Sequence, residues 1–299
     1  MTVRILQFGT TGQLGRELLA QAKDFDVEVT ALSRAEADFG DPRACAAAVS
    51  GAKADLVVIA AAYTAVDQAE TDTDQARKVN ATAPHSIALA AAARDIPVVW
   101  ISTDYVFPGD KGAPYVETDP VGPINAYGAT KLEGEEGVLS VNPRSLVLRA
   151  SWVVSSHGKN FVKTMLRLAD EGKPLKIVAD QYGRPTAARD LARFILSQAG
   201  RLAVAKAGDP VFGVFHFANA GEVSWKGFAE GIFSLAYGAK APPVAPAFTA
   251  DWAAPAKRPL RGTLDTSKLE RVFGVTLEPW HEAVGEIVRE LRAPERTPA

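Results

Sequence analysis

Short apolar runs alternate along the first half of the chain with alanine-rich or amphipathic stretches that have helical spacing. The apolar runs predict buried strands at residues 3–8, 27–32, 56–61, 98–102 and 146–148. Continuous apolar runs are typical of parallel strands that are buried on both faces, and the stretches between them predict the helices that cover the sheet. We therefore expect an α/β fold, a Rossmann-type, doubly wound parallel sheet.

The pattern changes after about residue 150, where loops and aromatic residues become more frequent, and prolines gather between residues 241 and 259. We expect residues 1–150 to form a dinucleotide-binding Rossmann domain. Residues 151–299 are expected to form mainly a smaller C-terminal substrate-binding lobe. Part of this second region, at about residues 187–217, is expected to return to the Rossmann domain.

Composition narrows the classes of function. A chain of 299 residues that is 47% hydrophobic can bury a large core. Its net charge of −2 and the absence of a Lys/Arg tract argue against nucleic acid as a partner. No apolar run is long enough to span a bilayer, and the chain begins with a strand-like segment in place of a signal peptide, so we expect no membrane partner. The single cysteine, Cys45, cannot form an intramolecular disulfide, which favours a reducing cytoplasm.

Tyr127 and Lys131 form the pair of residues that most directly indicates chemistry. Positions four apart lie on one face of a helix, so the phenol and the ammonium can project toward one ligand. A free phenol titrates near pH ~10, and a neighbouring cation is expected to lower that pKa toward the working range of a proton donor. Such a pair also arises by chance, and an exposed helix with a solvated lysine is the alternative, so its meaning depends on three other places in the chain.

The first of these places is a glycine-spaced loop between the first predicted strand and the helix that follows. Gly9, Gly12 and Gly15 are three residues apart, and Gln13 and Leu14 lie between the last two. Glycines allow the backbone to turn tightly and to approach a pyrophosphate, while a helix N-terminus offers unpaired N–H groups. This spacing predicts a dinucleotide cofactor.

The end of the second predicted strand indicates which dinucleotide is preferred. An acid at this place favours NAD by binding the ribose 2′-hydroxyl, whereas an arginine accommodates the 2′-phosphate of NADP. The chain has Ser33 and Arg34 here, with no carboxylate in that position. We therefore predict NADPH as the preferred cofactor, with use of both NADPH and NADH as the fallback.

The third place is Thr103, directly after the fourth predicted strand, at the edge of a parallel sheet where ligand crevices open. Its hydroxyl can donate a hydrogen bond to a substrate carbonyl as negative charge develops on the oxygen. The alternative is a strand terminus that caps its own backbone. Prolines and glycines in the following loop, residues 104–124, predict a cover over the active site.

The glycine loop is followed by eight further motifs along the chain, at residues 61–67, 79–82, 102–109, 127–131, 151–153, 160–161, 180–186, and 258–259 ahead of 264–265. This series of motifs, in this order, resembles the extended short-chain dehydrogenase/reductase superfamily and, within it, the dTDP-4-dehydrorhamnose reductase family. The resemblance runs through nearly the whole chain. It implies reduction of the C4 keto group of dTDP-4-dehydro-β-L-rhamnose to dTDP-L-rhamnose, and so a nucleotide-sugar substrate.

The resemblance also implies a role for individual residues. Tyr127 would protonate the alkoxide, with Lys131 on the nicotinamide ribose and Thr103, Asp104 and Trp152 around the sugar. Arg258 would contact the diphosphate, for which a planar guanidinium is well suited. The alternative for Trp152 is that it is an aromatic residue of the core with no contact to the sugar. The same alternative applies to Trp225, so we leave Trp225 out of the site. The glycine loop would bind the cofactor's pyrophosphate through Gly9, Gly12, Gln13, Leu14 and Gly15. Ser33 and Arg34 would contact the adenosine ribose, and Asp38 and Phe39 the adenine. Ala62, Tyr63 and Thr64 would contact the middle of the cofactor.

Related activities remain as alternatives. A nucleotide-sugar 4,6-dehydratase would carry a second carboxylate after Asp104, but this chain has Tyr105. An epimerase or another nucleotide-sugar reductase shares the Tyr/Lys pair. A regulatory subunit similar to that of methionine adenosyltransferase would hold the dinucleotide without catalysis. We predict no metal site, because the four histidines lack ligand spacing and Arg189 stands where a magnesium-bridged dimer would need an acid; a homodimer of another kind stays open.

Overall fold

A computed structural model describes residues 2–251 and 253–293 of the chain. Within this part the strands are β1 (Val3–Phe8), β2 (Val27–Leu32), β3 (Leu56–Ile59), β4 (Val98–Thr103), β5 (Ser145–Ala150), β6 (Val153–Val154), β7 (Leu175–Val178), β8 (Tyr182–Gly183), β9 (Thr186–Ala187), β10 (Gly213–Phe217), β11 (Val223–Ser224) and β12 (Val244–Ala247).

The helices in the same part are α1 (Gln13–Gln21), α2 (Pro42–Gly51), α3 (Val66–Ala69), α4 (Thr73–Arg77), α5 (Ala83–Ala92), α6 (Ala126–Val141), α7 (Phe161–Asp170), α8 (Ala188–Val204), α9 (Trp225–Tyr237), α10 (Ser267–Phe273) and α11 (Trp280–Arg292). A π-helical turn, Lys78–Thr82, joins α4 to α5 without a break in helical backbone. A short 3₁₀ turn, Asp104–Val106, directly follows β4.

The main sheet has six parallel strands in the order β10-β5-β4-β3-β1-β2. This arrangement confirms the predicted doubly wound α/β fold. The first two strands begin and end where the apolar runs predicted. The third ends at Ile59, so the predicted residues 60 and 61 are wrong for a strand, because the chain there leaves the sheet toward a cavity. The fourth and fifth extend beyond their predictions, to Thr103 and across 145–150.

Two hydrophobic clusters cover the faces of this sheet. One joins β1, β3 and β5 to α1, α8 and α10, and it also takes in Phe215 and Phe217 of β10. The other joins the opposite face to α2, α5 and α6 and contains Cys45, whose thiol pKa is raised to about 11 by burial. A third cluster forms the core of the C-terminal region from α7, α9, α11 and the paired strands β7 and β12.

Three further observations concern membrane-spanning helices, metal-binding side chains and the surroundings of Arg189. Within residues 2–251 and 253–293, no helix is both long and apolar enough to cross a membrane. The same residues contain no group of three or more His, Cys, Asp or Glu side chains that could hold a metal ion. Arg189 forms an ion pair with Glu286, with 2.5 Å between nitrogen and oxygen.

Candidate active site

A cavity of about 1060 Å³ opens at the carboxyl ends of the parallel strands. Its walls come from the segments that directly follow β1, β2, β3, β4 and β5, together with α6 and the start of α7. In the strand order of this sheet, the chain reverses direction of winding between β1 and β3, and ligands of open α/β sheets bind at such a switch point. The position of the cavity is therefore set by the topology of the sheet.

The glycine loop forms the floor of this cavity. Gly9 has a φ of +94°, a conformation that side-chain-bearing residues rarely adopt. A Cβ atom on Gly15 would collide with the carbonyl oxygen of Gly9, so α1 can pass close to β1 only with glycine there. The buried Gln7 side chain donates from Nε2 to the carbonyl oxygens of Gly9 and Gly15, at 2.8 and 3.0 Å. No side chain caps the N-terminus of α1, which leaves its first N–H groups open toward the cavity.

The end of β2 carries more negative charge than the sequence suggested. Ser33 donates to the Glu36 carboxylate from its backbone N–H and its hydroxyl, at 2.8 and 2.7 Å. Arg34, whose side chain is 81% exposed, pairs with Asp38 at 3.4 Å. The strand end itself carries Ser33 and Arg34 as the sequence has it, but the turn that follows folds the Glu36 carboxylate back onto Ser33. Arg34 and Asp38 line the cavity at this end.

Helix α6 lies unusually close to the sheet, and this places the Tyr/Lys pair. The Asn125 side chain accepts from Gly128 N–H at 2.7 Å and so caps the helix. A Cβ atom on Gly128 would collide with the carbonyl oxygen of Tyr105, and one on Gly134 with that of Asn80. Gly128 thus lets the helix backbone approach the turn after β4, and Gly134 lets it approach the π-helical turn, and Tyr127 and Lys131 both line the cavity.

The half-buried Tyr127 and the buried Thr103 and Asp104 form a polar cluster. The Thr103 hydroxyl faces the Tyr127 phenol and lowers its pKa, but desolvation outweighs this and raises the pKa of the phenol to about 12. Thr103 Oγ1 lies 3.1 Å from an Asp104 carboxyl oxygen, within hydrogen-bond distance, and accepts from the Tyr105 backbone N–H at 3.2 Å. Burial also raises the pKa of the Asp104 carboxyl to about 7. The cluster therefore favours the protonated forms of both acids.

Lys131 is almost completely buried and points beneath the cavity. Its Nζ donates to the Ile101 carbonyl oxygen at 2.6 Å and lies 3.9 Å from the centre of the Trp100 ring. Burial lowers its pKa to about 7, and the charge of Glu135 partly opposes this. The prediction that Lys131 lowers the pKa of Tyr127 is wrong for this state of the protein, because desolvation raises the phenol's pKa and the ammonium is bonded to the backbone of β4.

The 104–124 loop contributes only its two ends to the cavities. Asp104 and Tyr105 line the large cavity, and Ile124 lines a second one described below. The middle of the loop is tied down: the Tyr115 hydroxyl accepts from the N–H groups of Gly109, Asp110 and Lys111 at 3.0–3.2 Å. The predicted cover over the active site is therefore not what this conformation shows.

An aromatic wall separates the cofactor end of the site from the C-terminal region. Trp152 has a φ of +47°, and its ring is stacked on that of Trp225 with 3.6 Å between ring centres. Phe161 packs against Trp225 at 4.6 Å. All three line the large cavity while they also pack against the C-terminal cluster, so Trp152 is both a wall of the site and a core aromatic.

A second cavity of about 720 Å³ lies on the far side of this wall, and Trp225 and Phe161 line both. Arg258 lines the second cavity and holds Asp67 with two hydrogen bonds, at 2.6 and 2.8 Å. Lys176, Lys257 and Gln181 lie in the same walls. The second cavity thus combines an apolar surface with several cationic side chains.

The large cavity brings together most of the residues singled out from the sequence: Gly9, Gly12, Gln13, Leu14, Ser33, Arg34, Asp38, Phe39, Ala62, Tyr63, Thr64, Thr103, Asp104, Tyr127, Lys131 and Trp152. Gly15 lies under the loop, and Arg258 is in the second cavity. Sequence reasoning set Trp225 aside, and no local pattern marks it. It also gave no role to Asn80, whose amide binds both backbone groups of Tyr63 and the Thr130 hydroxyl at 2.9–3.2 Å.

Comparison with known proteins supports this geometry. Residues 3–293 match the family described as RmlD substrate binding domain. A dTDP-4-dehydrorhamnose reductase of Burkholderia thailandensis is 44% identical over 299 residues, covering 97% of this chain and 99% of that protein. The corresponding protein of Sinorhizobium fredii is 42% identical over 288 residues, covering 96% and 97%. The crystal structure of a Bacillus anthracis dTDP-4-dehydrorhamnose reductase in complex with NADP has a TM-score of 0.89, with 32% identity, 97% of this chain and 100% of that chain covered.

The family resemblance expected from the sequence is confirmed over almost the entire chain. The match includes the glycine loop, the Tyr/Lys pair and the C-terminal region that holds Arg258. With these relatives and the geometry of the two cavities together, the chain belongs to the RmlD substrate binding domain family.

Proposed function

We propose that this chain reduces the C4 keto group of dTDP-4-dehydro-β-L-rhamnose to dTDP-L-rhamnose with a nicotinamide dinucleotide. The observation that carries the proposal is one cavity in which the glycine loop and the Thr103, Tyr127 and Lys131 side chains meet. Membership of the RmlD substrate binding domain family, and relatives above 40% identity described as dTDP-4-dehydrorhamnose reductases, supply the identity of the substrate.

The residues of the glycine loop fit a dinucleotide. The positive φ of Gly9, the contact that excludes a Cβ atom at Gly15, and the uncapped N-terminus of α1 together make a cradle for a pyrophosphate. When bound, the reduced nicotinamide supplies the hydride. We assign Gly12, Gln13 and Leu14 to the pyrophosphate, and the remaining cofactor contacts to the residues predicted from the sequence.

NADPH remains the proposed preference, on the strength of Arg34 at the mouth of the cavity. Its guanidinium is exposed and can turn to a 2′-phosphate. Glu36 and Asp38 at the same end oppose a second negative charge, which keeps NADH in use as an alternative. The relative from Bacillus anthracis was solved with NADP.

Tyr127 is the proposed proton donor. Its phenol stays protonated across neutral pH, since desolvation raises its pKa to about 12. As hydride reaches C4, negative charge develops on the C4 oxygen, and the phenol gives its proton to that oxygen to complete the alcohol. Thr103 would donate a hydrogen bond to the same oxygen, and Lys131 would hold the nicotinamide ribose.

The sugar nucleotide is proposed to extend from the Tyr127 cluster across the aromatic wall into the second cavity. Trp152 would contact the sugar, and Asp104 would line the pocket that holds it. Arg258 already points its guanidinium at a carboxylate, Asp67, in a two-oxygen arrangement that a diphosphate can replace. Residues 1–150 would act as the cofactor domain and 151–299 mainly as the substrate lobe. A cytoplasmic location remains the proposal, because the one cysteine permits no internal disulfide.

The test is the oxidation of NADPH by purified protein with enzymatically prepared dTDP-4-dehydro-L-rhamnose, with NADH and sugar-free mixtures beside it. We expect sugar-dependent oxidation and a C4 alcohol product identified by NMR. Tyr127→Phe should lower kcat by about a hundredfold or more while NADPH still binds. Tyr237→Phe, the same change at a tyrosine that bonds Asp170 far from the site, should leave kcat unchanged. NADPH binding without oxidation of NADPH or NADH would refute the proposal and revive the regulatory-subunit alternative.

A further inference from the structure

The Thr103 hydroxyl has one hydrogen to donate but more than one neighbouring group that could accept it. A threonine hydroxyl carries one hydrogen and accepts at two lone pairs. The Tyr105 backbone N–H occupies one lone pair, at 3.2 Å. The Asp104 carboxyl lies 3.1 Å away on one side, and the Tyr127 phenol, whose pKa Thr103 lowers, faces the hydroxyl from the cavity. Which partner receives the single hydrogen therefore depends on the protonation of its neighbours.

Ionised Asp104 would hold that hydrogen. A carboxylate only accepts hydrogen bonds, so the Thr103 hydroxyl must donate to it. The single hydrogen is then committed to Asp104, and Thr103 has none to offer to a substrate oxygen. If Asp104 is protonated, its own O–H can donate to Thr103 and fill the second lone pair. The Thr103 hydrogen can then point toward the Tyr127 oxygen and the cavity, where the sugar oxygen would accept it.

The surroundings of Asp104 favour the protonated form on geometric grounds. Its side chain is 3% exposed, and no ion pair to it is found in residues 2–251 and 253–293. The backbone of Gly262 closes one side so tightly that a Cβ atom there would lie 2.5 Å from Asp104 Oδ2. A buried carboxylate without a cationic partner is costly, so it takes up a proton instead.

The titratable groups that face Asp104 add no positive charge. Tyr105 comes from its own turn and Tyr127 from α6, and the charge of Asp104 raises the pKa of both phenols. Arg258, from the segment that contains Gly262, acts on Tyr105 but pairs with Asp67. Burial raises the pKa of Asp104 to about 7, which agrees with the geometric argument.

We propose that protonated Asp104 is a positioning residue that orients the Thr103 hydroxyl as a donor to the C4 oxygen of the sugar. This role rests on the proposed function, and it differs from a direct contact between an Asp104 carboxylate and the sugar. Thr103 touches the reacting oxygen, and Asp104 acts through Thr103. Raising the pH ionises Asp104, turns the Thr103 hydrogen away from the site, and lowers the rate.

Three variants separate these roles. Asp104→Asn and Asp104→Leu have nearly the size of aspartate, but only the asparagine amide can donate to Thr103 as the protonated acid does. Asp74→Asn is the matched control, since it makes the same chemical change at an exposed carboxylate on α4. At pH ~6, kcat/KM of Asp104→Leu should fall about a hundredfold, the usual cost of one donor to a developing oxyanion, and Asp104→Asn should recover most of that loss.

The pH profile provides the second readout. Lys131 also has a pKa of about 7 and would hold the ribose as a cation, so log kcat/KM of the wild type and of Asp74→Asn should fall with a slope steeper than −1 over about two pH units above pH ~7, and with a slope of about −1 beyond them. In Asp104→Asn only the Lys131 contribution remains, and the slope should become about −1. An unchanged slope, or an Asp104→Asn variant as slow as Asp104→Leu, would overturn the proposal.

Infrared spectroscopy tests the protonation itself without substrate. The spectrum of the wild type minus that of Asp104→Asn should contain the C=O stretch of a protonated carboxyl, and this band should fade as the pH passes about 7. Absence of the band at pH ~6 would overturn the proposal whatever the activity. A wild-type protein with this band that binds NADPH but leaves the sugar unreduced would instead overturn the proposed function, and with it the role of Thr103 toward this substrate.

Discussion

A buried ion pair lies directly behind the Tyr/Lys helix and allows a quantitative prediction. Arg149 on β5 donates to Glu135 on α6 through Nε and Nη2, with the shortest distance 2.6 Å. The two side chains are 5% and 3% exposed. The Ser102 hydroxyl donates to the same carboxylate. Because neither charge reaches solvent, each depends on the other for its stability.

The perturbation is a double-mutant cycle of Glu135→Leu and Arg149→Met. Either single change leaves an uncompensated buried charge, which costs about 3–5 kcal/mol. Together the two changes remove both charges and fill the space with apolar groups, which is often neutral or better. The orphaned Ser102 hydroxyl would cost about 1 kcal/mol more. We therefore expect the double variant within about 1–2 kcal/mol of the wild type, and a coupling energy of about 3 kcal/mol or more.

The assay is urea unfolding of the four proteins at neutral pH, followed by circular dichroism and extrapolated to water. Single variants that each lose less than about 1 kcal/mol, or losses that simply add in the double variant, would refute the reasoning. The double variant has a further consequence. Glu135 raises the pKa of Lys131, so its loss should move the Lys131 limb of the pH profile to lower pH even in a stably folded protein.

Three other predictions test single contacts. Gly15→Ala should raise the Kd of NADPH by about a hundredfold or more because its Cβ collides with Gly9, whereas Gly51→Ala, with open space around it, should bind normally by fluorescence titration; equal affinities would contradict the cradle. Arg34→Ala should weaken NADPH by about ten- to a hundredfold and leave NADH unaffected, since a hydrogen bond to a charged group contributes about 1.5–3 kcal/mol; parallel losses would remove its role. Trp225→Ala should raise the KM for the sugar nucleotide about tenfold, whereas an unchanged KM would place the sugar elsewhere.

The sheet could be predicted closely because its strands are buried on both faces and therefore carry an unbroken apolar signal. Every residue of Leu56–Ile59, for example, is buried. The small strands of the C-terminal region gave no such signal. Val153–Val154 and Thr186–Ala187 have two residues each, too few for any periodicity, and they exist because tertiary packing brings them side by side.

The site divides in the same way. Contacts between neighbours in the chain, such as the glycine loop and the Tyr127/Lys131 spacing, can be read from the sequence. Trp225 could not be predicted as a site residue because its partner, Trp152, is distant in the chain, and only the folded structure stacks them. The position of the Glu36 carboxylate could not be predicted for a different reason. It is near Ser33 in the chain, but whether its carboxylate folds back depends on the turn that follows β2.

Helical spacing predicted which side chains share a face, but it could not predict their charges. Tyr127 and Lys131 do lie on the face of α6 that lines the cavity, and Lys131 is buried against Ile101 and Trp100 of β4, a contact that the spacing does not reveal. Desolvation disfavours every charged form at once, so it raises the pKa of Tyr127 and Asp104 and lowers that of Lys131. The glycines of α6, by letting the helix approach so closely, thus set the electrostatics of the site as well as its shape. The sequence motif therefore specifies which titratable side chains are present in the site, and the packing around them specifies their protonation states before substrate binds.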